Sequence, residues 1–305
     1  SDSNSYEYYT LNKMLDMAAD DETVSMDILS LPGVNKSSIT DRMIEIVDDR
    51  QDSLAIIDLE SAYTTSAETN STESAGTNLA VITSARSRNF DSSYAAAYHP
   101  WVRVRGPNDS TTVAVPPSVA AIGAIAKSQK LSFPWFAPAG FNRGGISQLG
   151  GPNGPIVTSV AESLKKANRD DLYEVGINPI ATLQQEFVIF GQKTLQQSPS
   201  AFDRINVRRL MIFVKKRIGE IADSILFDNN INATWNRFQT RANRVLGQIK
   251  SQGGIVDFKV QLDSSTTTPD LIDRNILYAK VFIKPARAIE FIAVDFIITR
   301  SGVEF

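Results

Sequence analysis

The sequence has 305 residues, of which 42% are hydrophobic, enough for one large domain or two ordinary ones with a real core. Its formal net charge of -3 provides no global attraction for nucleic acid. The absence of cysteine excludes disulfides, thiol catalysis and thiolate metal sites. Because His99 is the single histidine, a zinc site with two histidine ligands cannot form, and a Ser-His-Asp triad could use this residue alone.

The N-terminal part of the sequence predicts alternating strands and helices. Residues 28–34 indicate a short strand that ends in a turn, and the apolar spacing within 36–49 is helical. Residues 54–59 form a continuous apolar run of strand length, which is typical of a buried parallel strand. The polar stretch 61–78 predicts an exposed, mobile loop.

The next segment continues the same alternation. We predict strands at 79–83 and at Thr112–Val115, and 94–104 shows an alternating pattern around Trp101. A helix is predicted over 116–126, because proline suits the first helical turn. This order of elements favours an α/β layer with a largely parallel sheet.

Residues 133–146 form an unusual aromatic loop with four aromatic residues, two prolines and three glycines. Because each proline fixes φ and removes a backbone donor, neither a regular helix nor a central strand fits. The aromatic side chains carry too much apolar area to be left in water. The loop therefore either locks the α/β layer against the C-terminal part, which we favour, or contributes to a subunit contact. Its candidate structural residues are Trp135, Phe136, Pro138 and Gly140.

The middle of the chain predicts three short elements: a helix at 159–166, a turn at Asn178-Pro179 and a strand at 186–191.

The last third shows the clearest periodicity. Apolar residues recur on one helix face from Val207 to Ile225, and a second amphipathic helix runs from Trp235 to Ile249 before Gly253 and Gly254. Strands are predicted at 255–262, 277–285 and 288–299, with a helix-like turn around 269–274.

The predicted fold is therefore α/β plus α+β: a mixed sheet layer with flanking helices, followed by two long helices packed on a β-sheet. We divide the chain into an acidic segment 1–27, an α/β core 28–185 that includes the loop 61–78, and a C-terminal α+β domain 186–305.

Charge is distributed unevenly, because acidic residues dominate 1–60 and basic residues dominate 204–250. This asymmetry suits head-to-tail contacts between copies, and it equally suits two solvated faces. The predicted helix from Val207 lacks the interleaved exposed aromatics of single-strand binders, so we expect no nucleic-acid partner. Its candidates for docking onto an acidic protein partner are Arg208, Arg209, Lys215, Lys216 and Arg217.

Gly144-Gly145 and 150–154 (GGPNG) have the composition of a phosphate loop but not its pattern. No Lys-Ser/Thr pair closes the stretch, and it does not lie between a strand and a long helix. We favour a structural turn cluster and expect no catalytic residue, no metal site and no cofactor. An α/β enzyme that binds a phosphate ligand here is the alternative from another functional class.

Several ordered blocks carry a family resemblance: 115–126 (VPPSVAAIGAIA), 135–140 (WFAPAG), 187–195 (FVIFGQKTL), 206–210 (NVRRL), 232–235 (NATW) and 291–302 (FIAVDFIITRSG). In these blocks the sequence resembles the contractile-tail sheath proteins of myoviruses. The resemblance covers about residues 28 to 305.

This resemblance implies a structural, non-enzymatic subunit without cofactors. Such subunits form stacked hexameric rings around a tail tube, and they contract without nucleotide hydrolysis to drive the tube through the host envelope. The implied partners are further copies of the chain, the tail tube protein, and baseplate and sheath-terminator proteins, with no direct membrane insertion. The implied location is the virion tail, assembled in the host cytoplasm. A tailocin or a bacterial contractile secretion system would use the same fold.

Two departures from the family pattern are visible. The N-terminal arm of sheath proteins is not recognisable, so we expect a fragment that lacks it. Residues 128–130 (SQK) stand where sheath proteins often carry a charged segment. The resemblance also implies that the final strand lies at a seam between subunits. Its candidate residues are Phe291, Val294, Phe296 and Ile298.

Overall fold

The computed structural model describes residues 5–65, 72–106, 111–149 and 154–290. Its strands are β1 (Ile28–Ser30), β2 (Leu54–Ile57), β3 (Tyr63–Thr64), β4 (Ser74–Ala75), β5 (Ala95–His99), β6 (Val102–Arg105), β7 (Thr112–Val115), β8 (Ile156–Val160), β9 (Ile177–Leu183), β10 (Glu186–Ile189), β11 (Ile255–Gln261) and β12 (Lys280–Pro285). Its α-helices are α1 (Tyr6–Ala19), α2 (Ser37–Arg50), α3 (Asn78–Arg88), α4 (Pro117–Leu131), α5 (Gly140–Arg143), α6 (Lys166–Glu174), α7 (Ile205–Asp223), α8 (Asn232–Ser251) and α9 (Pro269–Asp273).

A five-stranded sheet in the order β1-β2-β5-β9-β10 forms the α/β layer. The first four strands are parallel, and β10 pairs antiparallel with β9 at one edge. Every residue of β2 is buried, because alternate side chains enter two different cores. Ala55 and Ile57 pack with α2 on one face, and Leu54 and Ile56 pack with α4 on the other. This confirms the buried parallel strand and the mixed layer with flanking helices.

The C-terminal unit consists of α7 and α8 packed against the antiparallel pair β11–β12. Leu210 and Val214 of α7 meet Leu246 and Ile249 of α8, and Ile255 of β11 completes this core. The apolar periodicity predicted both helices, and the structure confirms them. The predicted strand at 288–299 lies largely outside the described residues.

Residues 79–83 are helical in α3, so the predicted strand is wrong. The Thr77 side chain accepts a hydrogen bond from the Ala80 amide and caps the helix, a start signal that the short apolar run concealed. Val81, Ile82 and Ala85 are buried at helical spacing. A short apolar run does not distinguish a strand from a helix face.

Two predictions in the middle of the chain are also wrong. Most of 159–166 precedes the helix, which is α6 and begins only at Lys166, whereas β8 extends to Val160. Asn178-Pro179 lies within the buried strand β9 and not in a turn. The buried Asn178 amide donates to the carbonyls of Ala97 and Lys193, so a residue typical of turns instead joins neighbouring segments.

The stretch 61–78 is more ordered than predicted over the residues described there. It contains the β3–β4 pair, and Tyr63 is buried with its ring stacked on Trp101 at 4.7 Å between centroids. Trp101 precedes β6, the middle strand of a three-stranded sheet in the order β7-β6-β8. The segment 94–104 therefore contributes one strand to each of two sheets. Residues 66–71 lie outside the described part.

A buried carboxylate at the end of β2 joins two loops of the α/β layer. Asp58 accepts hydrogen bonds from the Gly33 amide at 2.8 Å and from the Ser118 amide and hydroxyl at 3.1 and 2.7 Å. The Ser118 amide belongs to the first turn of α4, where a negative charge is favourable. Burial, opposed by these hydrogen bonds, raises the pKa of Asp58.

We predict that Asp58→Asn lowers the free energy of unfolding by about 2 kcal/mol at neutral pH, because the amide nitrogen cannot accept from these donors. Since the folded pKa of Asp58 is raised, the folded wild type retains a proton that the unfolded chain has lost, and stability falls as pH rises above the unfolded value. The difference between wild type and variant should therefore shrink between pH 4 and pH 7 in urea titrations. Asp270→Asn, which changes an exposed carboxylate, is the control. A stability difference between wild type and Asp58→Asn that grows with pH would contradict the raised pKa of Asp58.

Candidate assembly surfaces

Trp135 of the aromatic loop lies between the α/β layer and the C-terminal unit. Its side chain is buried, its ring stacks on Phe133 at 5.0 Å, and it meets the edge of Phe213 of α7 at 5.6 Å. The indole nitrogen donates to the Gln252 carbonyl at 3.2 Å, just after α8. The loop thus places its largest side chain in the core of the C-terminal unit.

The other candidate loop residues shape the segment around Trp135. The Arg143 guanidinium lies 5.0 Å from the ring centre of Phe136, and its Nε donates to a carbonyl on the other side of Pro138. Gly140 has a φ of +75°, a conformation that disfavours other residues. The exposed side of the loop presents Phe141, which packs edge-on against Phe190.

Gly254 lies against the Trp135 ring, so a substitution at this position tests the junction. A Cβ atom at Gly254 would lie 2.8 Å from Ile249 Cγ2 and 2.9 Å from the indole ring. We predict that Gly254→Ala costs about 1–3 kcal/mol of unfolding free energy in chemical denaturation, because neither neighbour can easily retreat.

Gly247→Ala on α8 is the matched control, since no atom beyond the neighbouring backbone of its own helix lies within 4 Å of its added Cβ. It should leave stability unchanged or raise it by up to about 1 kcal/mol, because alanine favours a helix. Equal destabilisation by the two substitutions would contradict the tight contact at Trp135.

Two of the predicted docking residues point inward, which corrects the sequence-based set. Arg208 is only 7% exposed, and its guanidinium lies between the rings of Tyr94 at 3.8 Å and Phe202 at 4.2 Å. Arg209 is 8% exposed and donates to Gln129 Oε1 at 2.8 Å. Both cations face the α/β layer because Ile205 and Ile212, on the same side of α7, enter the core that this layer forms with α4.

The remaining basic residues of α7 lie nearer the surface. Lys216 donates to the Met26 carbonyl at 2.7 Å and forms an ion pair with Asp27, and Lys215 reaches the Arg50 carbonyl at 3.3 Å. Arg217 is half exposed and pairs with Glu220. Part of the charge asymmetry is therefore satisfied within one chain.

A basic surface that sequence reasoning did not single out lies on α8. Arg237, Arg241 and Arg244 are exposed, follow each other at i, i+4 and i+7, and face no acidic residue of their own helix. Arg237 pairs with Asp228, and Arg241 donates to the Ser224 hydroxyl at 2.9 Å. We call these three arginines the α8 basic stripe. Their helical spacing was readable from the sequence.

The β11–β12 sheet is a second candidate assembly surface. Within the described residues it has only two strands, so both of its edges lack a further strand there. One face packs toward α7 and α8, whereas Val256 and Phe282 are about half exposed. The seam candidates Phe291, Val294, Phe296 and Ile298 lie outside the described residues.

The described residues give little support for a catalytic centre. His99 is fully buried, and its Nε2 lies 2.9 Å from Glu162 Oε2. The other carboxylate oxygen of Glu162 accepts a hydrogen bond from the Asn78 backbone amide. The described ranges contain no group of three or more His, Asp or Glu residues suited to a metal, and no helix there is long and apolar enough to cross a membrane. Residues 150–153 of the glycine-rich stretch lie outside those ranges.

Comparison with known proteins identifies relatives of this chain. Residues 197–299 match the family described as the phage tail sheath C-terminal domain. The tail sheath protein of Vibrio phage KVP40 is 40% identical over 184 residues, which is 60% of this chain and 26% of that protein. The tail sheath protein of Enterobacteria phage T4 is 38% identical over 192 residues, which is 63% of this chain and 28% of that protein. The chain thus spans little more than a quarter of the length of these relatives.

A solved structure shares the fold over nearly the whole chain. The helical sheath of the anti-feeding prophage in its contracted state superposes with a TM-score of 0.72 at 21% identity, covering 97% of this chain and 76% of that one.

Proposed function

We propose that this chain, a relative of the tail sheath proteins of contractile phages, is the part of a sheath subunit that forms and holds the helical sheath. The observation that carries the proposal is the sequence relationship, at 40% identity to a named tail sheath protein. The subunit is structural and non-enzymatic, it resides in the virion tail, and its assembly takes place in the host cytoplasm. Contraction is a change of packing between subunits that drives the tube through the host envelope.

The open β11–β12 sheet supports contacts between copies in stacked hexameric rings. An unpaired edge accepts a further strand through backbone hydrogen bonds, while alternate side chains set the register. The C-terminal sequence around Phe291, Val294, Phe296 and Ile298 is apolar on both strand faces and suits such a role. A sheet completed by a neighbour keeps subunits joined while their packing changes.

The α8 basic stripe is the docking face that we propose for an acidic tail tube. It replaces Arg208 and Arg209, whose burial removes them from any surface contact. Lys215, Lys216 and Arg217 stay secondary candidates, because all three already bond within the chain. Exposed charges of one sign steer encounters in a salt-dependent way. Baseplate and sheath-terminator proteins are the further partners that we propose.

The relatives named above come from phages, which favours a phage tail over a tailocin or a bacterial secretion system. The phosphate-binding enzyme has no supporting feature among the described residues. Saturable ATP turnover that is lost on Gly151→Ala would favour it.

We predict that the full-length protein carrying this chain, mixed with its tail tube protein, forms striated sheaths around tubes in negative-stain images. Arg241→Glu with Arg244→Glu should give folded protein that assembles with copies of itself but leaves the tubes bare, because both cations that face the tube are reversed. Rising salt concentration should also weaken tube binding by the wild type, because salt screens exposed charges.

Lys165→Glu with Lys166→Glu is the matched control, with the same change of charge on the exposed start of α6. It should coat tubes as the wild type does. Tubes coated by the α8 variant would refute the docking face alone, whereas a wild type that forms no ordered assembly with or without tubes would refute the sheath function.

A further inference from the structure

The segment that follows β12 crosses from the C-terminal unit back to the α/β layer. It begins with a hydrogen bond from the Ala286 amide to the Gly254 carbonyl at 3.0 Å. Residues 287–289 are exposed, and Ile289 is 81% exposed. Among the described residues, these three form no hydrogen bond and no ion pair. We call residues 286–290 the strap.

The far end of the strap is held by polar contacts that the rest of the chain makes to the side chain of Glu290. Arg204 Nε donates to Glu290 Oε1 at 2.6 Å, and Gln192 Nε2 donates to the same oxygen at 3.1 Å. Burial, and after it the charge of this carboxylate, raises the pKa of the Tyr173 hydroxyl. A charge-assisted bond of this length is among the stronger hydrogen bonds in proteins.

The groups around Glu290 come from three parts of the chain that lie together. Tyr173 belongs to α6, Gln192 follows β10, and Arg204 immediately precedes α7. The Gln192 carbonyl accepts from the Ile205 amide at 2.8 Å, and Asp203 holds the Arg204 guanidinium at 3.0 Å. The site is therefore built into the start of α7 and is not a chance surface pair.

The middle of the strap spans a cavity of about 580 Å³ between residues 199–201, the first turn of α7 and residues 287–290. Apolar packing therefore contributes little to the position of the strap. Among the described residues, its attachment depends on two points, one at Ala286 and one at Glu290. A segment fixed at two points and open between them is released when either point is lost.

We propose that Glu290 is a latch that fixes the strap to the start of α7. The latch determines the point from which residues 291–305 begin, and it couples that point to movements of α7 and of the α/β layer. Its release frees the strap from the start of α7 without disturbing either core. The latch operates within the single chain and does not depend on the sheath function.

Trypsin cleavage after Arg287 tests the latch, because a protease needs a locally released segment. Glu290→Gln removes the charge, and Gln192→Glu places a second carboxylate beside Glu290. Each should accelerate this cleavage about tenfold, as expected for the loss of a charge-assisted hydrogen bond. The cleavage rate is measured by mass spectrometry, from the early appearance of the peptide that begins at Ala288. Circular dichroism shows whether each variant is folded.

The double variant Gln192→Glu with Glu290→Gln exchanges the amide and the carboxylate and should return cleavage toward the wild-type rate. Glu220→Gln, which removes an exposed pair at the far end of α7, should leave the rate unchanged. Folded Glu290→Gln protein cut at the wild-type rate, or a double variant without rescue, would overturn the latch. Should Glu290→Gln fold poorly, Arg204→Gln takes its place because it removes the shortest bond to Glu290, and wild-type cleavage of that variant is equally contradictory.

Discussion

The burial of one aromatic side chain determines how the two halves of this chain fit together. Trp135 leaves the α/β layer on a proline-bounded loop and enters the core formed by α7, α8 and β11. The two prolines limit the freedom that the loop loses on folding, so its immobilisation costs little. The Asn206 amide of α7 donates to the Trp135 carbonyl at 3.4 Å, which adds a polar contact at the same point. The exposed faces of α8 and of the β11–β12 sheet are oriented by this junction.

Charge plays two different roles on the two long helices. The start of α7 carries Arg208 and Arg209 into the interior, where aromatic rings and amide oxygens replace water around the guanidinium groups. Burial lowers the pKa of both arginines below the ordinary value, which reflects the cost of desolvating a cation. The α8 basic stripe instead stays in solvent. The start of α7 therefore adds to the junction that Trp135 makes between the two units, whereas the α8 basic stripe is exposed.

The sequence predicted the elements whose signals are local and repeated. The periodicity of α7 and α8 and the apolar run of β2 each specify a buried face, and the structure has all three. The helix α3 was missed because five apolar or small residues suit both a strand and a helix face, and the deciding signal was a single cap at Thr77. The position of Asn178 in a strand depends on Ala97 and Lys193, which are distant in sequence.

The candidate site was less accessible to sequence reasoning. Arg208 and Arg217 look alike in sequence, and only tertiary packing buries the first and exposes the second. The Glu290 contacts join residues 86 and 98 positions apart, which no local pattern indicates. By contrast, the spacing of Arg237, Arg241 and Arg244 on a helix without acidic residues was a usable local signal.

Scanning calorimetry of the wild type and of Trp135→Ala tests the central claim that Trp135 makes one cooperative unit of the α/β layer and the C-terminal helices. We predict one transition for the wild type, whose calorimetric and van't Hoff enthalpies agree. Trp135→Ala should give a separate, earlier transition for α8 and the β11–β12 sheet, because their contact with the loop is lost while the start of α7 stays packed on the layer. Two resolved transitions in the wild type, or a single unshifted transition in Trp135→Ala, would contradict the account.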